Sequence, residues 1–188
     1  GVDNGIKKHY VCMNKYGVFR IGETEDWDEI EQLRNQYDAY MVIDSNPYPT
    51  PLQKLVQKYP GKVFAHFYDE DSKEAESIRF LDGDKSGTVH SDRTKLLDSV
   101  VADINATDIL FQITLTELEN KGFIKHCLNE YRIVEESAKG IKRGVWRVIE
   151  GKPDHYFHAL CYAKVAMQQT LSIGGVAHTP PPNKQSSV

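Results

Sequence analysis

Three carboxylates stand far apart along the chain at places where a folded domain could gather them: Asp3, Asp44 and Asp154. Each has an ordinary reading. Asp3-Asn4-Gly5 has turn chemistry, Asp44 can cap the loop it opens, and Asp154 suits the positive end of a helix. Taken together they suggest more, because neighbouring strands lie ~4.8 Å apart and a helix end packed over them brings a third acid to the same small volume. Like charges that close repel unless cations neutralise them. A carboxylate set with no thiolate and no paired-imidazole motif suits hard, oxygen-seeking Mg²⁺ or Mn²⁺.

The elements that must position these acids follow from patterning. Lys8 to Asn14 and Val18 to Ile21 read as two strands around Lys15-Tyr16-Gly17, with Asp3 on a short strand before them. Asp26 precedes Trp27, Ile30, Leu33 and Tyr37, one apolar stripe of a capped helix. Ala39 to Ile43 is a short unbroken apolar run, the mark of a strand covered on both faces, and Asp44 closes it. A helix over Pro51 to Tyr59 and a strand over Lys62 to Tyr68 make the alternation that points to an α/β fold. Asp69 to Asp84 carries seven acids and two basic residues and reads as a solvated excursion broken by a hairpin near Gly83. Asp92 caps a helix through Leu96, Leu97, Val100, Val101 and Ile104; a second helical region starts at Thr114 and breaks at Lys121-Gly122. Tyr131 to Glu136 and Val145 to Glu150 form another hairpin, and Pro153 opens a last helix with Asp154 in its first turn.

At 188 residues, 40% apolar and 27% charged, the chain holds one domain, expected over 1–173, with a flexible tail over 174–188 rich in Pro, Gly and Ser. A net charge of -4 excludes a wholly basic nucleic-acid coat, so a polyanion would be met locally. Between Arg132 and Lys152 six Lys or Arg face three Glu, and this hairpin is the best groove wall available. No apolar run reaches the ~20 residues of a spanning helix. Cys12, Cys127 and Cys161 are scattered, against a disulfide framework. Asp82-Gly83-Asp84-Lys85-Ser86-Gly87 starts like a calcium loop, but Arg93 stands where the bidentate Glu belongs, so a turn is the better reading.

The strings Gly1-Val2-Asp3-Asn4-Gly5, Met41-Val42-Ile43-Asp44, Asp92-Arg93-Thr94-Lys95-Leu96-Leu97-Asp98 and Asp154-His155-Tyr156-Phe157-His158-Ala159-Leu160 resemble the nuclease domain of tailed-phage terminase large subunits. The resemblance covers roughly residues 1–171. It implies an RNase H-like mixed sheet flanked by helices, with an added β-hairpin near the active site. It further implies a sequence-tolerant endonuclease that cuts concatemeric double-stranded DNA with two Mg²⁺ or Mn²⁺ ions held by Asp3, Asp44 and Asp154. Asp3 would bridge both ions, one ion activating water and the other stabilising the leaving oxygen. Lys139, Lys142, Arg143 and Arg147 on the hairpin, with Lys7 and Lys8, would meet DNA phosphates. His158, one turn after Asp154 on the same helix face, would orient a carboxylate or touch a phosphate; His155 is assigned to the surface.

Other partners implied are an N-terminal ATPase domain, a portal and a small terminase subunit, in the host cytoplasm and without a membrane. The chain has no Gly-x-x-x-x-Gly-Lys-Ser/Thr loop, so the expectation is an excised nuclease domain without the motor. Two rivals stand beside this reading: a Holliday-junction resolvase or integrase-like nuclease, and a module that binds DNA or a capsid component without cutting.

Overall fold

A computed structural model of the chain describes residues 1–69, 78–83, 87–136, 140 and 142–172. The expected tail, most of the acidic excursion and Lys139 lie outside the described residues.

A hairpin opens the fold. β1 (Val2–Asp3) and β2 (Lys8–Asn14) pair antiparallel, and β3 (Gly17–Thr24) returns along β2. Gly17 is required at the turn: its φ is +120°, and a Cβ there would lie 2.2 Å from the Leu110 carbonyl oxygen. α1 (Trp27–Tyr37) starts behind Asp26, whose Oδ1 accepts from the Asp28 amide at 2.8 Å. β4 (Met41–Asp44), α2 (Pro49–Lys58) and β5 (Val63–Asp69) follow as strand, helix and strand. β6 (Ile78–Phe80) and β7 (Thr88–Asp92) form the hairpin expected near Gly83. Strands flank that segment, so the helix–loop–helix frame of a calcium loop is not built.

α3 (Arg93–Asn105) is capped by Asp92, whose Oδ1 accepts from the Lys95 amide at 2.9 Å. α4 (Leu115–Asn120) and α5 (Phe123–Leu128) are one helical region broken at Gly122, whose φ of 73° stops the first helix and starts the second. β8 (Glu130–Glu136) and β9 (Lys142–Val148) make a separate two-stranded sheet, and α6 (His155–Ser172) closes the described fold.

The main sheet has seven strands in the order β3-β2-β1-β4-β5-β7-β6. Its centre, β1-β4-β5-β7, is parallel, and antiparallel strands flank it on both sides. Side chains alternate across it. Val2, Tyr10, Met41, Ile43 and Val63 point to one side, with Ile30 and Leu33 of α1 and Leu52 and Leu55 of α2. Val11, Val42, Phe64 and Val89 point to the other, with Leu97 and Val100 of α3 and Tyr156, Leu160 and Ala163 of α6. This α/β sandwich of helix, sheet and helix explains why β4 is apolar at every place but its last. Val42 and Ile43 are fully buried on opposite faces, each contributing about 1.5–3 kcal/mol.

No helix among the described residues is long and apolar enough to cross a membrane.

Candidate metal-binding site

Sheet register lays a line of titratable side chains across the face under α6. Glu23 of β3 pairs with His9 of β2, His9 pairs with Asp3 of β1, and Asp44 of β4 pairs with His66 of β5. Val2 lies opposite Ile43, which sets Asp3 beside Asp44 on adjoining parallel strands. Residues one position away on each strand belong to the opposite face, so all five of these side chains share the α6 side. Asn4, just past β1, donates from Nδ2 to the Asp44 carbonyl at 3.3 Å and to the Tyr48 carbonyl at 3.4 Å, tying the two strand ends together.

α6 delivers the third acid from above. Asp154 immediately precedes the helix instead of lying in its first turn: its carbonyl accepts from the Phe157 amide at 2.8 Å and the helix begins at His155. Pro153 stays outside, its carbonyl receiving Asn129 Nδ2 at 2.7 Å. His155, assigned to the surface from sequence, is half-exposed and central: its Nδ1 lies 3.0 Å from Asp3 Oδ2 and 3.9 Å from Asp154 Oδ1. The expected support from His158 is present. Its Nε2 stands 3.4 Å from Asp154 Oδ2 and 2.7 Å from Glu130 Oε1, and its Nδ1 meets the Tyr68 hydroxyl at 2.8 Å.

Electrostatics mark the same place. Burial pushes Asp44 up to about 6, and the charge of Asp3 adds to this against the opposing pull of the Asn46 amide and His158. Burial alone would also raise Asp154, but its hydrogen bond to His158 and the charge behind it hold the carboxyl well below its usual range. His158 is the complement. Burial disfavours its charge, yet Asp154 and Glu130 raise it to about 9, so the ring is an imidazolium at neutral pH. His155 is raised by its bond to Asp3. Two imidazole rings thus stand against the acids, His155 beside Asp3 and His158 beside Asp154.

The expected trio is gathered in one region but not as one equal set. Among the described residues, two groups offer three ligand atoms all within 4.8 Å of one another: Asp3, His9 and His155; and Glu130, Asp154 and His158. Asp44 belongs to neither, although it senses both Asp3 and His158. The donors fit divalent cations, and polar atoms are left over for them: Asn4 Oδ1, His9 Nδ1 and Glu130 Oε2 are buried without a hydrogen-bond partner.

Sequence reasoning missed His9, Glu130, Tyr68 and Arg93. His9 was findable, since it is directly opposite Asp3 in the first hairpin; Glu130 carries no local signal, as its partners come from α3 and α6.

The basic residues divide. Lys8, expected against DNA, is instead buried: its ammonium donates to the carbonyls of Glu25 at 2.9 Å and Ile6 at 3.3 Å, over the Trp27 ring. Lys7 is exposed and pairs with Glu23 at 2.9 Å. On the hairpin, Arg147 meets Glu135 at 2.5 Å, Lys142 is 3.9 Å from Glu136, and Arg132 reaches Asp98 at 2.8 Å. Arg143 is exposed beside them. The hairpin therefore presents mixed charge.

No family model, curated protein or solved structure matches the chain.

Proposed function

We propose that this chain is a metal-dependent endodeoxyribonuclease of the RNase H-like class, the nuclease domain of a viral packaging terminase. One observation carries the reading: Asp3 and Asp44 end adjoining parallel strands on the same face, and the start of α6 links Asp154 to Asp3 through His155. The strand order β3-β2-β1-β4-β5, antiparallel then parallel, is compatible with that class. Lys142 and Arg143, exposed on the mixed-charge hairpin beside α6, would meet a DNA substrate through phosphate contacts that carry little sequence information.

Asp3, Asp44 and Asp154 would hold the ions, which when bound supply an activated water and a stabilised leaving oxygen. The chain's own part is to position. Asn4 fixes the ends of β1 and β4, while Glu130 and Tyr68 fix His158, which holds the Asp154 carboxylate. Ionised Asp44 is the costly member, and a cation beside it would repay its desolvation.

The test is plasmid cleavage by the 188-residue chain with Mn²⁺ or Mg²⁺. Nicking is expected, with loss to background in excess chelator and in Asp3→Asn, Asp44→Asn and Asp154→Asn variants that keep native circular dichroism. Undiminished cleavage in all three variants overturns the assignment. Strong preference for a four-way junction over linear duplex would move the reading to a resolvase, and DNA binding without turnover at any divalent ion would move it to a binding module.

A further inference from the structure

We propose that Asp3, His9 and His155 form a mixed nitrogen and oxygen site for a borderline transition cation of the Zn²⁺ or Co²⁺ class, so that the Asp3 side of the centre is not an all-oxygen Mg²⁺ site. The inference deepens the nuclease reading and rests on it only for the role of the ion, not for its binding.

Geometry comes first. One ligand atom from each of the three residues lies within 4.8 Å of the other two. They come from β1, β2 and the first residue of α6, and the Asp3–His9 pair is fixed by sheet register. His155 is the adjustable member, because its half-exposed ring already reaches Asp3 at 3.0 Å. The His9 and His155 rings stack with centroids 4.8 Å apart and planes 23° apart. Closing on an ion therefore needs a turn of the His155 ring.

The second observation is an orphaned donor. His9 is 6% exposed, and its Nδ1 is buried with no hydrogen-bond partner. Its other nitrogen, Nε2, lies 3.3 Å from Glu23 Oε2, and Lys7 holds the opposite oxygen of Glu23 at 2.9 Å. A carboxylate behind an imidazole orients the ring and selects its tautomer, which is how metal-bound histidines are supported. Glu23 thus stands at the Nε2 side of the ring, and Nδ1 is the nitrogen left without a hydrogen-bond partner.

His126 completes the wall without joining the ligands. Its ring centroid is 5.3 Å from that of His9, but its Nδ1 accepts from the Tyr156 amide at 3.3 Å. Two imidazole nitrogens with one carboxylate favour Zn²⁺, Co²⁺, Fe²⁺ or Mn²⁺ over Mg²⁺, which demands oxygen ligands and keeps its waters.

Co²⁺ is the probe, since its visible absorption reports nitrogen and oxygen ligation directly. Titrating Co²⁺ into the tag-free chain should give saturable bands that Zn²⁺ displaces and a large excess of Mg²⁺ does not. His155→Ala should weaken Co²⁺ binding about tenfold or more, as should His9→Asn if that variant keeps the native circular dichroism. Absence of the bands, displacement by Mg²⁺, or titrations unchanged by His155→Ala would overturn the site. The two readings fail separately: Co²⁺ bands without cleavage at any ion would remove the nuclease and keep the site, and Mg²⁺-supported cleavage without Co²⁺ bands would do the reverse.

Discussion

His158 presents Nε2 to Glu130 Oε1 at 2.7 Å, joining the first residue of β8 to the first turn of α6. Arg93 Nη2 reaches the same oxygen at 2.6 Å, so a carboxylate with no exposed side-chain surface is shared by two cations. Both partners are rigidly placed, Arg93 by a further bond to the Trp146 carbonyl at 2.9 Å and His158 by Tyr68.

Glu130→Gln keeps the shape but strands those charges. Removing one partner of a buried pair costs about 3–5 kcal/mol, and partial exposure of Arg93 places this case at the low end. Urea unfolding at pH 7 is expected to show a loss of about 3 kcal/mol, and a loss below about 1 kcal/mol would show that the pair behaves as a surface bridge.

Asp44→Asn should stabilise the metal-free protein while abolishing cleavage. The folded protein raises Asp44 above its ordinary value, so it favours the neutral acid. Stability from this group is therefore whole below the unfolded value near 3.8 and lost as pH climbs through about 6. In chelator, the variant should melt a few degrees higher than the parent at pH 7 and no higher at pH 3.5.

The His158 shift has a different window. Its folded value of about 9 exceeds the unfolded 6.5, so its stabilisation is complete below 6.5 and disappears as pH rises through about 9. Glu130, Asp154 and Tyr68 bond to it, Tyr162 stacks on it, and Asp44, His66 and His155 feel its charge. In chelator, the parent should lose stability between pH 7 and 9.5, and His158→Gln should be less stable at pH 7 with a flatter profile.

Lys142 and Arg143 are exposed on β9 at the hairpin's outer end. If they meet phosphates, the double alanine variant should weaken binding of unrelated duplexes alike and reduce the salt slope by about 2, near 0.9 per contact. Fluorescence anisotropy from 50 to 200 mM salt checks this, and an unchanged slope would remove the hairpin from the interface.

Locally encoded features were legible: the caps at Asp26 and Asp92, the break at Gly122 and the polar closure of β4 each depend on residues a turn apart. The neighbouring of Asp3 and Asp44 at adjoining strand ends was legible too, whereas the grouping of Asp154 with Glu130 and His158 was not. Lys8 misled because adjacent residues in extended chain face opposite ways, and a lysine turned inward can satisfy its ammonium on carbonyls. The histidines were hidden for another reason. His9, His126 and His155 come from β2, α5 and α6, and only packing of α5 against α6 over the first hairpin brings their rings within 5.8 Å of one another.

β4 is only four residues long, and its parity decides where its acid looks. One residue gained or lost between Met41 and Asp44 would swing the carboxylate through the sheet to the side of α1 and α2, into oil and away from Asp3. Substitutions at the rim can accumulate gradually, but the count along this strand has no intermediate value. It is a digital setting within an otherwise tolerant architecture.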